Sequence, residues 1–152
     1  MTVVDRDTAD RLAINQVLDE YARGIDTRDW DLVESVFTGD AFLDYTAFGG
    51  PKGPQSDVIT WLQDALTAFV MSQHHITNRL ITIDGDEAVV AAELLAIMGM
   101  PGEPGKMSMM FTGGQYNDRL VRTDEGWKIA KRTCDRGWLA SAPDASGPRS
   151  PD

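Results

Sequence analysis

Gln73-His74-His75-Ile76-Thr77-Asn78 marks the point where this chain changes character. Upstream, apolar residues recur at helical spacing; downstream, they recur in the short alternating runs of strands. Immediately before it, Ser56 to Phe69 reads as a helix with Val58, Leu62, Ala65, Leu66 and Phe69 on one side. Further back, Ala41 to Tyr45 reads as a short strand, followed by a Gly/Pro loop from Gly49 to Pro54. A short helix fits Trp30 to Phe37, ended by Gly39-Asp40. At the start, Ile14, Val17, Leu18, Tyr21, Ala22 and Ile25 follow the i, i+3, i+4, i+7, i+8, i+11 template of an amphipathic helix, with Asp7 or Thr8 as its cap. Downstream, Ile76–Ile83, Glu87–Met98, Met107–Arg122 and Trp127–Trp138 read as strands. They are joined at Asp84-Gly85, Pro101–Gly105 and Thr123–Gly126. Gly113-Gly114 predicts a bulge or bend. Helices first and strands after predict an α+β domain, with helices packed on one face of a mainly antiparallel sheet.

The 152 residues are the size of one domain with room for a core and a small-molecule cavity. An apolar fraction of 42% and a charged fraction of 25% fit an ordinary globular chain. The net charge of -10 argues against nucleic acid, which demands a cationic footprint, and leaves no basic face for a membrane surface. No segment has the length and apolarity of a membrane-spanning helix. The first residues lack a basic region followed by an apolar run, so no signal peptide is expected and the expected location is cytoplasmic. The domain is expected over 1–140. The Pro/Ser/Asp/Gly-rich segment 141–152 is expected to be a disordered tail.

Proton chemistry has few places to reside. The chain holds two histidines, and they are adjacent. Histidine is the side chain whose charge changes near neutral pH, so His74 or His75 is the candidate general base. Neighbours on a strand face opposite ways, so only one can enter a given pocket. Alternation leaves the choice open: Ile76 and Leu80 share a face with His74, and Ile81 and Ile83 share one with His75. One cysteine, Cys134, makes no internal disulfide and reads as a small buried hydrophobe. With two histidines and one distant cysteine, no metal site is expected, and no cofactor.

Several stretches resemble the SnoaL-like family of the nuclear-transport-factor-2-like (NTF2-like) superfamily. They are Tyr21-Ala22-Arg23-Gly24-Ile25-Asp26-Thr27-Arg28-Asp29-Trp30, Val36-Phe37-Thr38-Gly39-Asp40-Ala41, His74-His75-Ile76-Thr77-Asn78, Ile83-Asp84-Gly85-Asp86-Glu87-Ala88 and Gly126-Trp127-Lys128-Ile129. The resemblance spans about residues 8 to 140. It implies an NTF2-like conical barrel, three helices packed in a strongly curved sheet around a deep apolar pocket. Family members include scytalone dehydratase, bile-acid 7α-dehydratase, lindane dehydrochlorinase, polyketide cyclases and an epoxide hydrolase. Binding modules and dioxygenase small subunits share the fold, so the fold leaves function open.

The resemblance is nearest to the dehydratase and dehydrochlorinase branch, with an Asp ending the first helix and a His opening the first long strand. The dehydrochlorinase His-x-x-x-Asn pattern falls on His74 and Asn78, which favours His74 over His75. The bile-acid dehydratase spacing of Tyr five residues before Asp falls on Tyr21 and Asp26, and its late Arg is nearest to Arg132. The implied roles follow. His74 abstracts a proton, Asp26 orients it, and Tyr21 with Arg132 polarises oxygen groups; Tyr45, His75 and Asn78 are candidate substrate-binding residues. Each has a plainer reading too. Tyr21 fits the core stripe, Asp26 could be a helix-end acid, and Arg132, opposite in parity to Trp127 and Ile129, could make a surface ion pair. The expectation is a cofactor-independent, dehydratase-like lyase acting on a hydrophobic cyclic, polyketide- or steroid-like molecule, assembled as a homodimer or homotrimer. The alternatives are a cyclase or isomerase, or a non-catalytic binding domain.

Overall fold

A computed structural model describes residues 5–146. Three helices come early: α1 (Arg6–Thr27), α2 (Trp30–Ser35) and α3 (Gln55–Leu66). Asp5 caps α1 by accepting from the Thr8 N–H, and Asp29 caps α2 through the Leu32 N–H. Gly24 lets the two helices touch, since a Cβ there would stand 2.8 Å from Val33 Cγ2. The strands are β1 (Phe37–Asp44), β2 (Lys52–Pro54), β3 (Met71–Asp84), β4 (Glu87–Pro101), β5 (Lys106–Thr123) and β6 (Gly126–Ser146). They form one open sheet in the order β2-β1-β6-β5-β4-β3, with β1 parallel to β6 and every other pairing antiparallel. The apolar stripe of α1 (Ile14, Leu18, Tyr21, Ile25) is fully buried among α3 residues and the inward side chains of β4–β6. The expected α+β cone is the observed fold.

Element ends differ from the sequence reading in two places that matter. Strand β3 begins at Met71, so the histidines sit inside a strand rather than at its threshold. Strand β6 runs on to Ser146, and 141–146 pairs with β5 (Met110 with Ser141, Lys106 with Ser146) rather than forming a free tail. The remainder of the expected tail, 147–152, lies outside the described residues.

Two of the sheet's bulges decide which face the candidate site residues and their neighbours occupy. In β3, Thr77 pairs with Glu93 but Leu80 with Ala91, so one extra residue is accommodated around Asn78, whose φ is +51°. Alternation reverses across it. His74 and Ile76 face inward before the bulge, Ile81 and Ile83 pack on the core after it, and Leu80 is left 71% exposed. The even-residue pairing of His74 with Leu80 expected from alternation is therefore corrected. In β6, Arg119 faces Lys131 while Leu120 faces Ile129, which makes Ala130 the extra residue. Arg132, expected to oppose Trp127 and Ile129 in facing, instead joins them inside and is fully buried.

Two ion pairs close the core. Asp10, on the inner side of α1, receives Arg122 on both carboxylate oxygens at 2.8 and 2.6 Å and the Trp127 indole N–H at 3.0 Å. Arg122 also lies 4.5 Å over the Trp127 ring. This clasp fastens the start of α1 to the β5–β6 hairpin. Deeper in, Arg132 and Asp118 are cross-strand partners joined by two 2.7 Å bonds, both side chains essentially inaccessible. The guanidinium carbon lies 4.2 Å from the Tyr21 ring centroid and 4.0 Å from that of Tyr116, and the two rings stand at 87° to one another, meeting the cation from two perpendicular directions.

These pairs make two predictions. The hydrogen bonds from Arg122, then that from Trp127, hold the Asp10 carboxyl at about 2, below its ordinary 3.8. Its contribution to stability is therefore complete above the unfolded value and is lost as pH falls toward the folded one. Denaturant melts across pH 2 to 5 should show Asp10→Asn less stable than wild type near neutrality and with a shallower acid-side decline. Replacing Arg132 by Leu leaves Asp118 buried without a partner, at a cost of about 3–5 kcal/mol. Adding Asp118→Asn should restore part of that loss in urea unfolding.

Candidate functional site

The end of α1 and the beginning of β3 meet over a cavity of about 340 Å³. His74 faces it from β3, Tyr21 from α1, Tyr45 from the end of β1, and Trp61, Leu62 and Phe69 from α3 and the segment after it. Met98, Met110 and Tyr116 supply the sheet side. Leu139 lines the cavity yet is 67% exposed, which places the mouth beside β6. The wall is thus mostly aromatic and thioether, a surface adapted to an irregular apolar molecule.

Asp26 stands in the last turn of α1 and bonds three groups of β3. Oδ1 lies 2.7 Å from His74 Nδ1, Oδ2 accepts the His74 backbone N–H at 2.8 Å, and the Ser72 hydroxyl donates to Oδ1 at 3.1 Å. Burial works to raise the Asp26 carboxyl, but the bonds from the His74 ring and backbone and from Ser72 outweigh it and hold it below its ordinary value. An ionised carboxylate only accepts, so in a neutral imidazole the proton belongs on Nδ1 and the free lone pair on Nε2. The ring is only 10% exposed.

Across the cavity, the Tyr21 and Tyr45 hydroxyls are 2.6 Å apart, and Arg132 Nη1 approaches Tyr45 Oη at 3.4 Å. Burial pushes both phenols above their ordinary values, with Tyr45 the further raised, so both are protonated. Two phenolic protons serve one mutual bond. Whichever tyrosine donates in it, the other keeps an O–H for a third partner. Burial, followed by the opposing charge of Asp118, acts on Arg132, and its guanidinium stays protonated.

The site therefore assembles part of the predicted set. Asp26, His74, Tyr21 and Tyr45 converge. Arg132 does not line the cavity: its fork is bound to Asp118, and it touches the phenols from behind. His75 is exposed on the outer face of β3, paired opposite Leu95, because neighbours on a strand alternate. Asn78 is exposed at the bulge, four residues and one phase reversal from His74. Neither reaches the cavity. Ser72, Arg28 and Trp61 were not among the residues expected from the sequence, and Tyr116, expected as a sheet aromatic, also lines the cavity. Ser72 was findable, two residues from His74 on the same strand face. Arg28 was not, since its placement depends on a left-handed backbone turn. Among the described residues no group of three or more His, Cys, Asp or Glu is placed to hold a metal ion, and no helix is long and apolar enough to cross a membrane.

Known proteins carry the same frame. The chain is 36% identical over 124 residues to the uncharacterized protein Rv2910c of Mycobacterium tuberculosis, covering 82% of this chain and 83% of that one. Two Novosphingobium aromaticivorans crystal structures superpose on it. One is a candidate aromatic ring hydroxylase, 28% identical with a TM-score of 0.75, covering 88% of this chain and 94% of that one. The other is a candidate scytalone dehydratase, 22% identical with a TM-score of 0.76, covering 92% of each. The family model described as a SnoaL-like domain matches residues 6–133. With that match across most of its length, the chain belongs to the SnoaL-like family of NTF2-like proteins.

Proposed function

We propose that the chain is a cofactor-independent, dehydratase-like lyase acting on a hydrophobic cyclic, polyketide- or steroid-like molecule. One observation carries this reading: a His74–Asp26 dyad with one free ring nitrogen faces a pair of protonated phenols across an apolar cavity. His74 Nε2 takes a proton from the carbon next to a carbonyl. The electrons of that C–H bond move toward the carbonyl oxygen, which accepts a bond from the free phenolic O–H of the Tyr21–Tyr45 pair. As they return to form the C=C bond, the β-hydroxyl leaves and takes the proton from His74 to depart as water. Asp26 stabilises the imidazolium in between. The superposed candidate scytalone dehydratase, by its name, supports a dehydration.

Arg132 enters this scheme differently from the sequence expectation. With its fork committed to Asp118 it has no paired bonds to offer a substrate carboxylate, and its charge acts on Tyr45. The cavity suits a ligand with neutral oxygens. Proton abstraction without a leaving group would give an isomerase or cyclase on the same residues, and product analysis separates these outcomes.

The test is a panel of hydroxylated cyclic ketones, followed by loss of water or double-bond formation. His74→Ala and Asp26→Asn should reduce turnover about 10²- to 10⁴-fold, the range of general acid-base assistance. Tyr45→Phe should cost less, because Tyr21 remains. His75→Ala should keep wild-type rates. Equal activity in the two histidine variants would sink the mechanism, and stoichiometric binding without turnover across the panel would favour a binding module.

A further inference from the structure

Two residues beyond Asp26, the chain places a cation in an unusual backbone setting. Arg28 has φ +59°, in the left-handed region that non-glycine residues seldom occupy, and its backbone N–H closes the end of α1 on the carbonyls of Gly24 and Ile25. Its side chain folds back beneath the dyad. Nη1 donates to the Ile25 carbonyl at 2.5 Å and to Ser72 Oγ at 2.8 Å, and Nη2 reaches the Leu66 carbonyl at 3.5 Å. One guanidinium thus gathers the carbonyl ends of α1 and α3, where a helix dipole favours positive charge, together with the first residues of β3.

The donor inventory then fixes a direction. A guanidinium has donors and no acceptor, so Ser72 Oγ must accept from Arg28. The single Ser72 proton is left for Asp26 Oδ1, the oxygen that meets His74 Nδ1. Ser72 is buried at 7% exposure, which limits competition from water for that proton. Arg28 is itself acted on by burial, and then by the charge of Asp26, so cation and carboxylate sense each other across the serine.

We propose that Arg28 and Ser72 are positioning residues, a relay that commits the Ser72 hydroxyl to Asp26 and so holds the carboxylate in the orientation that keeps His74 protonated on Nδ1. The inference rests on the dyad of the proposed function and not on any substrate. Without the relay, Oδ1 loses a donor, the carboxylate is held only by the His74 backbone N–H at Oδ2 and by the imidazole itself, and the imidazole is freer to change tautomer. A purely structural tie between helix ends would affect stability and leave the imidazole as it was.

The histidine count makes a direct test possible. In a His75→Gln background one imidazole remains, and ¹⁵N and carboxyl ¹³C resonances can follow His74 and Asp26 without a ligand. The parent should show His74 as the Nδ1–H tautomer with a slowly exchanging ring proton. Ser72→Ala and Arg28→Gln should broaden or abolish that proton signal, shift the tautomer toward Nε2–H, and raise the Asp26 midpoint toward the ordinary ~3.9. Ser72→Thr, which keeps the hydroxyl, should restore the parent spectrum. Should Arg28→Gln fail to fold, the Ser72→Ala and Ser72→Thr pair carries the same comparison with Arg28 intact. If the folded variants lose only thermal stability and keep the parent tautomer, exchange and Asp26 midpoint, the relay is overturned and the dyad stands. If the parent itself lacks the Nδ1–H form, both relay and dyad fall.

Discussion

Helix α1 is fastened to the sheet by a carboxylate near each end, and most of the molecule's organisation follows from that pair of anchors. Asp10 grips Arg122 and Trp127 on the β5–β6 hairpin, and Asp26 grips Ser72 and His74 on β3. Sixteen residues separate them, roughly 24 Å of helix at ~1.5 Å per residue. Between them the apolar stripe is buried, so neither sliding nor rotation of the helix is available without breaking charged bonds. The first anchor is structural. The second uses the same kind of contact to orient a base, so the rigidity that stabilises the domain also positions the imidazole.

The interior charge is arranged with similar economy. A guanidinium without water is costly unless its donors and its charge are both answered. Arg132 meets that condition with Asp118 accepting from its Nε and Nη2 and with the Tyr21 and Tyr116 rings answering its charge from two perpendicular directions. Its field still reaches Tyr45, one wall of the cavity, without presenting a bare cation to a ligand. An apolar cavity can thus carry polarised phenols while remaining suited to uncharged molecules.

How much of this was legible depends on whether the signal was local. The helical stripe from Ile14 to Ile25 and the hairpin at Asp84-Gly85 announce themselves because side-chain periodicity and turn chemistry act over a few residues. The Asp26 and Tyr21 positions and the preference for His74 over His75 came through family resemblance, and the structure sets Tyr21 and His74 on one cavity with Asp26 bonded to His74. Alternation failed for Arg132 and Leu80, since an extra residue at Ala130 or Asn78 has no compositional mark and reverses every facing after it. Arg28 was invisible for a related reason: nothing in an arginine signals that its backbone will turn left-handed and its side chain fold back.

Those two bulges behave like phase shifts in a two-beat rhythm, and they make chain length carry information that residue identity does not. Exchanging Asn78 for another residue leaves the count intact. Removing it would put β3 back into simple one-to-one pairing with His74, Ile76, Ile81 and Ile83 all still inward. Straightening the bulge with the residue retained would instead send one of those two pairs to the wrong side of the sheet. Removing Ala130 would likewise leave Ile129, Lys131 and Arg132 in plain alternation, with Arg132 still inward and opposite Asp118. Comparisons among relatives that align residues without honouring these two insertions would assign inward and outward positions incorrectly over half of each strand.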